Sequence, residues 1–315
     1  MRLNNWRVLI ADNILDVGLS SLKEVATVID RRGVSASNLL HEVTDVHGII
    51  VRGRTKITEQ VIDSAGHLKV IGRAGIGVDN IDLKAAQKRH ITVVNTPEVA
   101  TVAVAEHTLG LMLALVRHIS QGDRTMKDGK WIKKDIIGVE LRDKTLGIIG
   151  IGRIGAAVTA RAHAFGMRII AHDPFISPEI FTDLESQSVD LNELFRHADF
   201  ISIHVPLTTH SLNLIDKSAF ARMKRGVYLI CTARGGIVAE DALLEALTSG
   251  HVAGAALDVF ANEPPGESEL ITHPHVLATP HISAQTIEAQ SKASEEIAQE
   301  VLAALRGEPL RWKIV

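Results

Sequence analysis

The 315-residue sequence predicts an α/β protein with two parallel-sheet domains. Apolar, strand-like runs alternate with helix-like segments along nearly the whole chain, which is typical of βαβ units. One of these runs, near the middle of the chain, leads into a glycine-rich turn. The length also exceeds the roughly 250–300 residues at which a single hydrophobic core stops growing. These three observations together favour two domains over one.

The N-terminal third follows this alternation without a phosphate-binding turn. Apolar runs predict strands at 8–11, 25–29, 48–51, 68–71 and 91–94. Helical patterns between them predict helices at 35–42, 58–64 and 82–89. Residues 72–77 read GRAGIG, a glycine spacing in the wrong order for a dinucleotide-binding turn.

Thr96 and Pro97 end this series, and a long helix is predicted at about 99–117. Its apolar stripe consists of Ala105, Leu109, Met112, Leu113 and Val116. A polar, basic stretch over 121–134 follows and contains Trp131. The sequence therefore predicts two α/β units joined by a long helix.

The next unit carries the pattern G-x-G-x-x-G between a predicted strand, 145–149, and a predicted helix, 153–165. Gly150 permits the tight turn, Gly152 lets a pyrophosphate approach the backbone, and Gly155 lets the helix pack on the strand. The start of the helix favours phosphate groups. On the glycines alone, an ordinary turn between strand and helix remains the alternative reading.

Asp173 makes the interpretation as a dinucleotide-binding turn more specific, because it follows the next predicted strand, 167–171. Its carboxylate can accept hydrogen bonds from a ribose diol and would repel a 2′-phosphate. The residues that follow are Pro174 and Phe175, not an arginine. The unit therefore predicts binding of NAD rather than NADP.

The alternation continues to the C-terminus. Strands are predicted at 200–205, 227–231, 253–259 and 276–278, and helices at 191–197, 218–223, 240–247 and about 284–305. The last helix is long and the tail after Gly307 is short, so the C-terminal segment is assigned to the first domain. The predicted domains are 1–97 with 284–315, and 98–283.

Composition narrows the functional class. The net charge of -3 gives no indication of a nucleic-acid partner, and the fifteen histidines are scattered without metal-ligand spacing. The single cysteine, Cys231, excludes an internal disulfide and lies in the apolar run VYLIC, which predicts a buried thiol. With no signal-peptide pattern and no apolar run of about 18 residues, we expect a cytoplasmic protein without a membrane partner.

Three polar residues follow predicted strands: Arg234 in TARGG, Glu263 in DVFANEPP and His281 in ATPHISA. Taken singly, each has an ordinary alternative, as a turn cap, a solvated carboxylate or a loop histidine. Taken together, they are expected at one edge of the sheet, where open α/β sheets bind ligands. An arginine fork binds a carboxylate, a histidine moves a proton, and a neighbouring carboxylate orients the histidine. This combination fits oxidation of an alcohol next to a carboxylate, with no metal required.

The motifs GIIGIGRIG, HDP, HVP, TARGGIV, ALDVFANEP and TPHISA, in this order, resemble the D-2-hydroxyacid dehydrogenase family. VRGRTKIT, GRAGIGVDNID, VVNTP and MKDGKW extend the resemblance over nearly the whole chain. The resemblance implies two Rossmann/flavodoxin-like parallel-sheet domains joined by long helices. One is a substrate domain formed by both termini, and the other is a central domain that usually forms a homodimer.

The resemblance also implies roles for single residues. Arg234 would bind the substrate carboxylate and keto oxygen, Glu263 would tune the histidine, and His281 would be the acid–base. Besides the glycines, the implied NAD contacts are Arg153, Ile154, Asp173, Val205, Thr232, Ala233, Asp258 and Ser283. Anion-binding side chains of the other domain would be Arg52 and Arg73, and Ile76 would line the site.

The family resemblance favours D-3-phosphoglycerate, oxidised to 3-phosphohydroxypyruvate in serine biosynthesis, as the substrate. Members with that substrate often carry a loop of the Asn-Gly-Asn-Ser type after NTP, whereas residues 98–101 read EVAT here. Glu98 would repel a phosphate, which keeps hydroxypyruvate, glyoxylate and other anionic 2-hydroxy acids as alternatives. The chain also ends soon after the family core, so a form without a C-terminal regulatory domain is expected.

A function of another class is a dinucleotide-sensing transcriptional corepressor. Such relatives keep the fold and the Arg–Glu–His set, so these three residues do not exclude it. The absence of long terminal extensions in this sequence favours the enzyme. For the expected dimer, the helix at 99–117 and the arm around Trp131 are the candidate contacts.

Overall fold

A computed structural model describes residues 6–315. The chain folds as two compact units, which we call the terminal unit (6–100 with 284–315) and the central unit (101–283). Each unit contains one sheet in which all neighbouring strands are parallel. The predicted class, α/β with two parallel sheets, is confirmed.

The terminal unit has a five-stranded sheet of order β2-β1-β3-β4-β5. Its strands are β1 (Trp6–Ile10), β2 (Ala26–Asp30), β3 (Gly48–Val51), β4 (Val70–Arg73) and β5 (Thr92–Asn95). Its helices are α1 (Asp16–Val25), α2 (Ala36–Glu42), α3 (Glu59–Ser64), α4 (Leu83–Lys88) and α13 (Ile287–Arg306). This is a flavodoxin-like order, in which the winding direction reverses between β1 and β3.

The central unit has a seven-stranded sheet of order β12-β11-β10-β9-β6-β7-β8. Its strands are β6 (Thr145–Ile149), β7 (Arg168–His172), β8 (Gln187–Ser188), β9 (Phe200–Ile203), β10 (Val227–Cys231), β11 (Val252–Leu257) and β12 (Val276–Ala278). Its helices are α5 (Thr101–Val116), α6 (Ile119–Lys127), α7 (Arg153–Ala164), α8 (Pro178–Asp183), α9 (Leu191–His197), α10 (Lys217–Arg222), α11 (Glu240–Thr248) and α12 (Glu269–Thr272). The winding direction reverses between β6 and β9, as it does in a Rossmann sheet.

Local sequence explains several helix starts in the terminal unit. The side chains of Ser35, Thr58 and Asp82 cap α2, α3 and α4 by accepting a hydrogen bond from the backbone N–H three residues later. Thr286 caps α13 in the same way, so this helix begins at Ile287 rather than at the predicted residue 284.

The C-terminal tail, residues 311–315, extends the sheet of the terminal unit beyond β5. Ile314 N donates to Val93 O at 2.8 Å, and Lys313 forms an antiparallel bridge with Val94. Buried Glu300 of α13 accepts hydrogen bonds from the backbone N–H groups of Arg311 and Trp312. A buried carboxylate therefore fixes the tail against the edge strand.

The sequence patterns missed five elements: α1, α6, α8, α12 and β8. α1 starts at an N-cap, Leu15, that makes no side-chain capping bond. α6 buries none of its residues, so its sequence indicates only a polar stretch. The other three are two to six residues long. α1 does bury Gly18, Leu19 and Leu22, so it was missed despite a buried stripe.

Among the described residues, no single helix is long and apolar enough to cross a membrane. Only α5 and α6 taken together, which meet at a 64° bend, pass that test of length and composition.

Gly18 allows α1 and α13 to pack closely, because a Cβ there would lie 2.1 Å from the backbone carbon of Ser294. Gly18→Ala is therefore expected to lower the free energy of unfolding by about 1–3 kcal/mol, the usual cost of overpacking. Urea unfolding measured by circular dichroism tests this. Gly66→Ala in the same unit is the control, since nothing lies within 4 Å of its Cβ position. Equal midpoints for the two variants would contradict the close packing.

Candidate active site and cofactor site

The glycine turn between β6 and α7 leaves no room for side chains at two of its three glycines. Gly150 has a φ of 90°, and a Cβ there would lie 2.7 Å from Val205 Cγ1. A Cβ on Gly155 would lie 2.1 Å from Gly150 O. The prediction that these glycines form a tight turn packed on the helix is therefore confirmed, and Val205 lies directly against the turn.

Gly152 differs, because no atom lies within 4 Å of its Cβ position. It is the N-cap of α7 and makes no side-chain capping bond, and Arg153 and Ile154 begin the helix. Open space in front of a helix start is what a pyrophosphate needs in order to approach the backbone. The residues present at this turn therefore fit a dinucleotide.

Asp173 is fixed beside the same turn. Its Oδ2 accepts a hydrogen bond from Ile151 N at 3.1 Å, and its Oδ1 accepts one from Phe175 N at 3.1 Å. A carboxylate has about four acceptor sites, so two remain for the two hydroxyls of a ribose. The turn and the acid together carry the features expected for NAD.

The proposed catalytic residues lie in the loops that follow three neighbouring strands. β10, β11 and β12 are adjacent and parallel, so the loops that follow them lie at one edge. Arg234 follows β10, and its Nη1 donates to Ala233 O at 2.7 Å. A Cβ on Gly235 would lie 1.7 Å from Phe260 O, so the loops after β10 and β11 are in direct backbone contact.

Glu263 and His281 form a pair, with Glu263 Oε2 2.7 Å from His281 Nδ1. Glu263 Oε1 accepts a hydrogen bond from Phe260 N at 3.1 Å, which holds the carboxylate in place. Since a carboxylate accepts, Nδ1 carries the hydrogen, and Nε2 of the neutral ring is left with a lone pair. The ring is therefore oriented with Nε2 available for proton transfer.

The backbone of His281 is in the left-handed region, at φ 53°, which is unfavourable for a residue with a side chain. Asp258 binds the residues on both sides of it. Thr279 Oγ1 donates to Asp258 Oδ1 at 2.6 Å, and the N–H groups of Ile282 and Ser283 donate to the same carboxylate at 2.9 Å. The conformation of His281 is thus held by its flanking residues.

Asp258 is completely buried and lies near a histidine of α5. His107 Nε2 is 3.6 Å from Asp258 Oδ1 and 3.3 Å from Thr279 Oγ1. Burial by itself raises the pKa of the Asp258 carboxyl, but the nearby His107 ring and the hydrogen bonds from Thr279, Ile282 and Ser283 lower the pKa to about 2. The group is therefore a carboxylate throughout the working pH range.

The remaining predicted cofactor residues lie at the same edge. Thr232 is the first residue after β10, and its hydroxyl is 3.0 Å from that of Thr108 on α5. Ala233 follows it, and Ser283 is bound to Asp258 through its N–H. The sequence patterns did not single out His107, Thr108 and Thr279, because a polar residue inside an apolar pattern carries no signal of a distant partner.

His204 follows β9 beside the glycine turn, and burial lowers its pKa to about 3. Its Nε2 is 2.8 Å from Ser202 Oγ, so the ring is neutral and hydrogen-bonded. Among residues 6–315, no group of three or more His, Cys, Asp and Glu side chains is arranged to hold a metal ion.

The three substrate candidates of the terminal unit differ in their surroundings. The Arg73 guanidinium folds over Gly75, where a Cβ would lie 1.7 Å from its Nη1. Ile76 O accepts a hydrogen bond from Asn95 Nδ2 at 2.6 Å. Arg52, at the end of β3, is partly buried, and its N–H donates to Asp12.

The family profile described as D-isomer specific 2-hydroxyacid dehydrogenase, NAD binding domain, matches residues 109–283, more than half of the chain. The chain belongs to the D-isomer-specific 2-hydroxyacid dehydrogenase family. The matched segment lies within the central unit and includes the glycine turn, Asp173 and the Arg234, Glu263 and His281 loops. The predictions of the family and of NAD as the cofactor are confirmed.

Individual proteins agree with this assignment. A curated relative from Synechocystis sp. named D-3-phosphoglycerate dehydrogenase is 45% identical over 305 residues, which cover 97% of this chain and 55% of the relative. The chain thus spans about half the length of the curated relatives it matches.

Two solved structures are similar over nearly their full lengths. A protein from Thermus thermophilus has a TM-score of 0.91 at 37% identity, and the match covers 98% of this chain and 100% of that one. A glyoxylate reductase from Paecilomyes thermophila has a TM-score of 0.91 at 30% identity, with coverage of 99% and 98%. The fold of the whole chain is therefore that of 2-hydroxyacid dehydrogenases.

Asp258→Asn is expected to lower the free energy of unfolding at pH 7 by about 2–4 kcal/mol, because an amide cannot replace an anion among these donors. A folded-state pKa of about 2, below the ordinary value of 3.8, means that the charge stabilises the fold fully above pH 3.8 and loses this effect as the pH falls toward 2. The difference between wild type and variant should therefore be constant from about pH 8 to pH 5 and shrink below about pH 4.

Urea unfolding over this pH range measures the difference. Asp183→Asn, at an exposed position of the same unit, is the control for loss of one charge. A difference that grows as the pH falls would contradict the depressed pKa of Asp258.

Proposed function

We propose that the protein is an NAD-dependent dehydrogenase that interconverts a D-2-hydroxy acid and the corresponding 2-keto acid. The observation that carries this proposal is the Glu263–His281 pair, with 2.7 Å between carboxylate oxygen and ring nitrogen, on the NAD-binding unit of a 2-hydroxyacid dehydrogenase fold. The central unit would be the NAD-binding domain, and the terminal unit the substrate domain.

In the proposed mechanism, Arg234 binds the substrate carboxylate and the oxygen at C2 through its guanidinium fork. His281 Nε2 accepts the proton of the C2 hydroxyl during oxidation and returns it during reduction. Glu263, bonded to Nδ1, stabilises the positively charged ring that this transfer creates. Bound NAD supplies the hydride acceptor.

For the substrate, we propose D-3-phosphoglycerate, oxidised to 3-phosphohydroxypyruvate, the reaction that feeds serine biosynthesis. The support is the 45% identity to relatives that carry the name D-3-phosphoglycerate dehydrogenase. The second candidate is a hydroxypyruvate or glyoxylate reductase, or a dehydrogenase of another anionic 2-hydroxy acid. It is favoured by the exposed Glu98 in the loop after β5 and by the likeness to a glyoxylate reductase.

A steady-state assay of NADH absorbance separates these candidates. NAD would be tested with D-3-phosphoglycerate and D-glycerate, and NADH and NADPH with hydroxypyruvate and glyoxylate. The expected result is that NAD with D-3-phosphoglycerate gives the highest kcat/KM of these pairs. Turnover of unphosphorylated acids alone would select the second candidate. No turnover at all, together with recovery of transcription factors in a pull-down, would favour the corepressor.

Glu263→Gln tests the mechanism. The amide keeps a hydrogen bond to Nδ1 but lacks the negative charge that favours the protonated ring. We expect kcat for oxidation to fall by about 10-fold to 1000-fold, and the pH–rate profile to move to lower pH. Fluorescence titration should show that NADH binding changes less than about twofold, consistent with a role after binding. An unchanged pH–rate profile would remove Glu263 from the mechanism.

We further propose a homodimer formed by the central unit. The support is a set of large apolar side chains exposed on α6 and the arm that follows: Ile119, Met126, Trp131 and Ile137. Large exposed apolar patches mark protein–protein contacts, and these four side chains are the candidates for one. For location, we propose the cytoplasm, as the sequence predicts. The free thiol of Cys231 is buried and burial raises its pKa to about 11, so it is compatible with a reducing compartment or with any other.

Trp131→Glu should convert the dimer into a monomer, because a charge would have to be desolvated in the contact. Light scattering after size exclusion measures the mass. Phe175→Glu, at another exposed aromatic residue of the same unit, should leave the mass unchanged. A monomeric wild type would refute the proposed dimer.

A further inference from the structure

Helix α5 carries a histidine, His107, whose side chain reaches the loop that holds His281. His107 Nε2 lies 3.3 Å from Thr279 Oγ1 and 3.6 Å from Asp258 Oδ1. The His107 side chain is 23% exposed, so its ring is largely inside the protein. α5, β11 and the loop after β12 all belong to the central unit, and the contact therefore forms within one compact unit.

The hydroxyl of Thr279 sets the direction of this contact. Its single hydrogen is donated to Asp258 Oδ1 at 2.6 Å, so its oxygen can only accept from a further partner. His107 must therefore carry a hydrogen on Nε2 and donate it to Thr279. The neutral ring meets this requirement, since one of its two nitrogens is always a donor. The contact thus needs no charge on His107.

Thr279 is also bonded to the backbone of His281. Its carbonyl oxygen accepts from His281 N at 3.1 Å, and its own N–H donates to Leu257 O at 2.9 Å. Pro280 lies between the two residues, and its ring fixes φ, so the segment is stiff. A displacement of Thr279 is therefore transmitted to His281, whose backbone is already in an unfavourable conformation at φ 53°.

Helix α5 is a firm support for His107. The next residue, Thr108, is completely buried, and its hydroxyl is 3.0 Å from that of Thr232, the first residue after β10. Near the end of the helix, Leu115 lies against β11, where a Cβ on Gly254 would be 3.2 Å from its Cδ1. The helix is thus packed on the sheet on both sides of His107, which holds the position of the donor.

We propose that His107 is a positioning residue for proton transfer in the central unit. Its Nε2–H, acting through Thr279 and Asp258, holds the loop after β12 so that His281 stays paired with Glu263. This inference deepens the proposed function and rests on it. His107 acts only through its neighbours and takes no proton from the substrate. Without this donor, the Thr279 hydroxyl would be held from one side only.

Steady-state oxidation of D-3-phosphoglycerate with NAD tests the proposal, with kcat normalised to NADH-binding sites counted by fluorescence titration. If hydroxypyruvate with NADH is the faster pair, the test uses that pair. His107→Leu removes the donor and should lower kcat by about 10-fold to 100-fold, because small displacements of a reacting group have effects of this size. KM for the acid should change by less than about twofold, since no binding contact is removed.

His107→Gln tests whether the donor itself matters. The side-chain amide keeps an N–H group at about the reach of Nε2, so this variant should recover most of the kcat that His107→Leu loses. It also protects the test against misfolding of the leucine variant. A kcat for His107→Gln as low as that for His107→Leu would overturn the role of the Nε2–H donor.

Glu106→Gln is the matched control. Glu106 precedes His107 on the exposed side of α5, where its carboxylate lies 3.4 Å from Arg161 Nη2. Loss of an exposed ion pair has a small effect, so kcat should stay within about twofold of the wild type.

A double variant separates positioning from a general defect. If His107 acts through the Glu263–His281 pair, His107→Leu should lower kcat by a smaller factor in a Glu263→Gln background than in the wild type. A residue that only stabilises the fold has no such coupling. An equal factor in both backgrounds would overturn the inference.

Hydrogen–deuterium exchange gives a readout that does not depend on turnover. The N–H groups of Ile282 and Ser283, which donate to Asp258, should exchange faster in His107→Leu than in the wild type. His107→Gln and Glu106→Gln should match the wild type. Unchanged exchange or an unchanged kcat in His107→Leu would overturn the inference. Absence of turnover in the wild type would refute the proposed function, and the exchange experiment would still decide whether His107 holds the loop.

Discussion

The buried carboxylate of Asp258 is the constraint on which the candidate active centre depends. The loop after β12 must place a histidine in a left-handed conformation, which costs about 1–2 kcal/mol for a residue with a side chain. Three hydrogen bonds to one carboxylate hold the residues before and after that histidine. The Glu263–His281 pair can therefore form without a helix or strand supporting either residue. Asp12 has a similar role in the terminal unit, where its carboxylate accepts hydrogen bonds from the N–H groups of Arg52 and Thr55 in the loop after β3.

Much of the fold followed from periodicity, because strands in parallel sheets are apolar throughout. The runs at 48–51, 145–149, 227–231 and 276–278 match β3, β6, β10 and β12 at both ends. The residue at which a strand ends is harder to predict where a polar residue leaves the sheet and makes a side-chain hydrogen bond. The run predicted to 259 ends at Leu257, since Asp258 turns inward to bind the loop after β12. Such partners are distant in sequence, so no local pattern reveals them.

The site was predictable to the extent that it depends on strand ends. Parallel strands bring the residues that follow them to one edge, so the strand pattern predicts that Glu263 and His281 lie together. The partners of Asp258 and of Thr232 on α5 were not predictable, because His107 and Thr108 lie in a helix whose apolar stripe gives no reason to single them out. The sequence favoured Arg52 over Arg54 as an anion-binding residue. The contacts of Arg54 were not predictable from it, because Asp12 and the carbonyls of Ala11 and Val34 are distant in sequence.

The C-terminal tail has a consequence for handling the protein. Residues 311–315 supply the hydrogen-bonding partner of β5, which would otherwise present a row of open N–H and C=O groups at the end of the sheet. An open edge of this kind templates pairing with other chains and promotes aggregation. Deleting residues 311–315 would remove this covering strand. Poor solubility of such material would then report on an uncovered sheet edge, with the cofactor site itself intact.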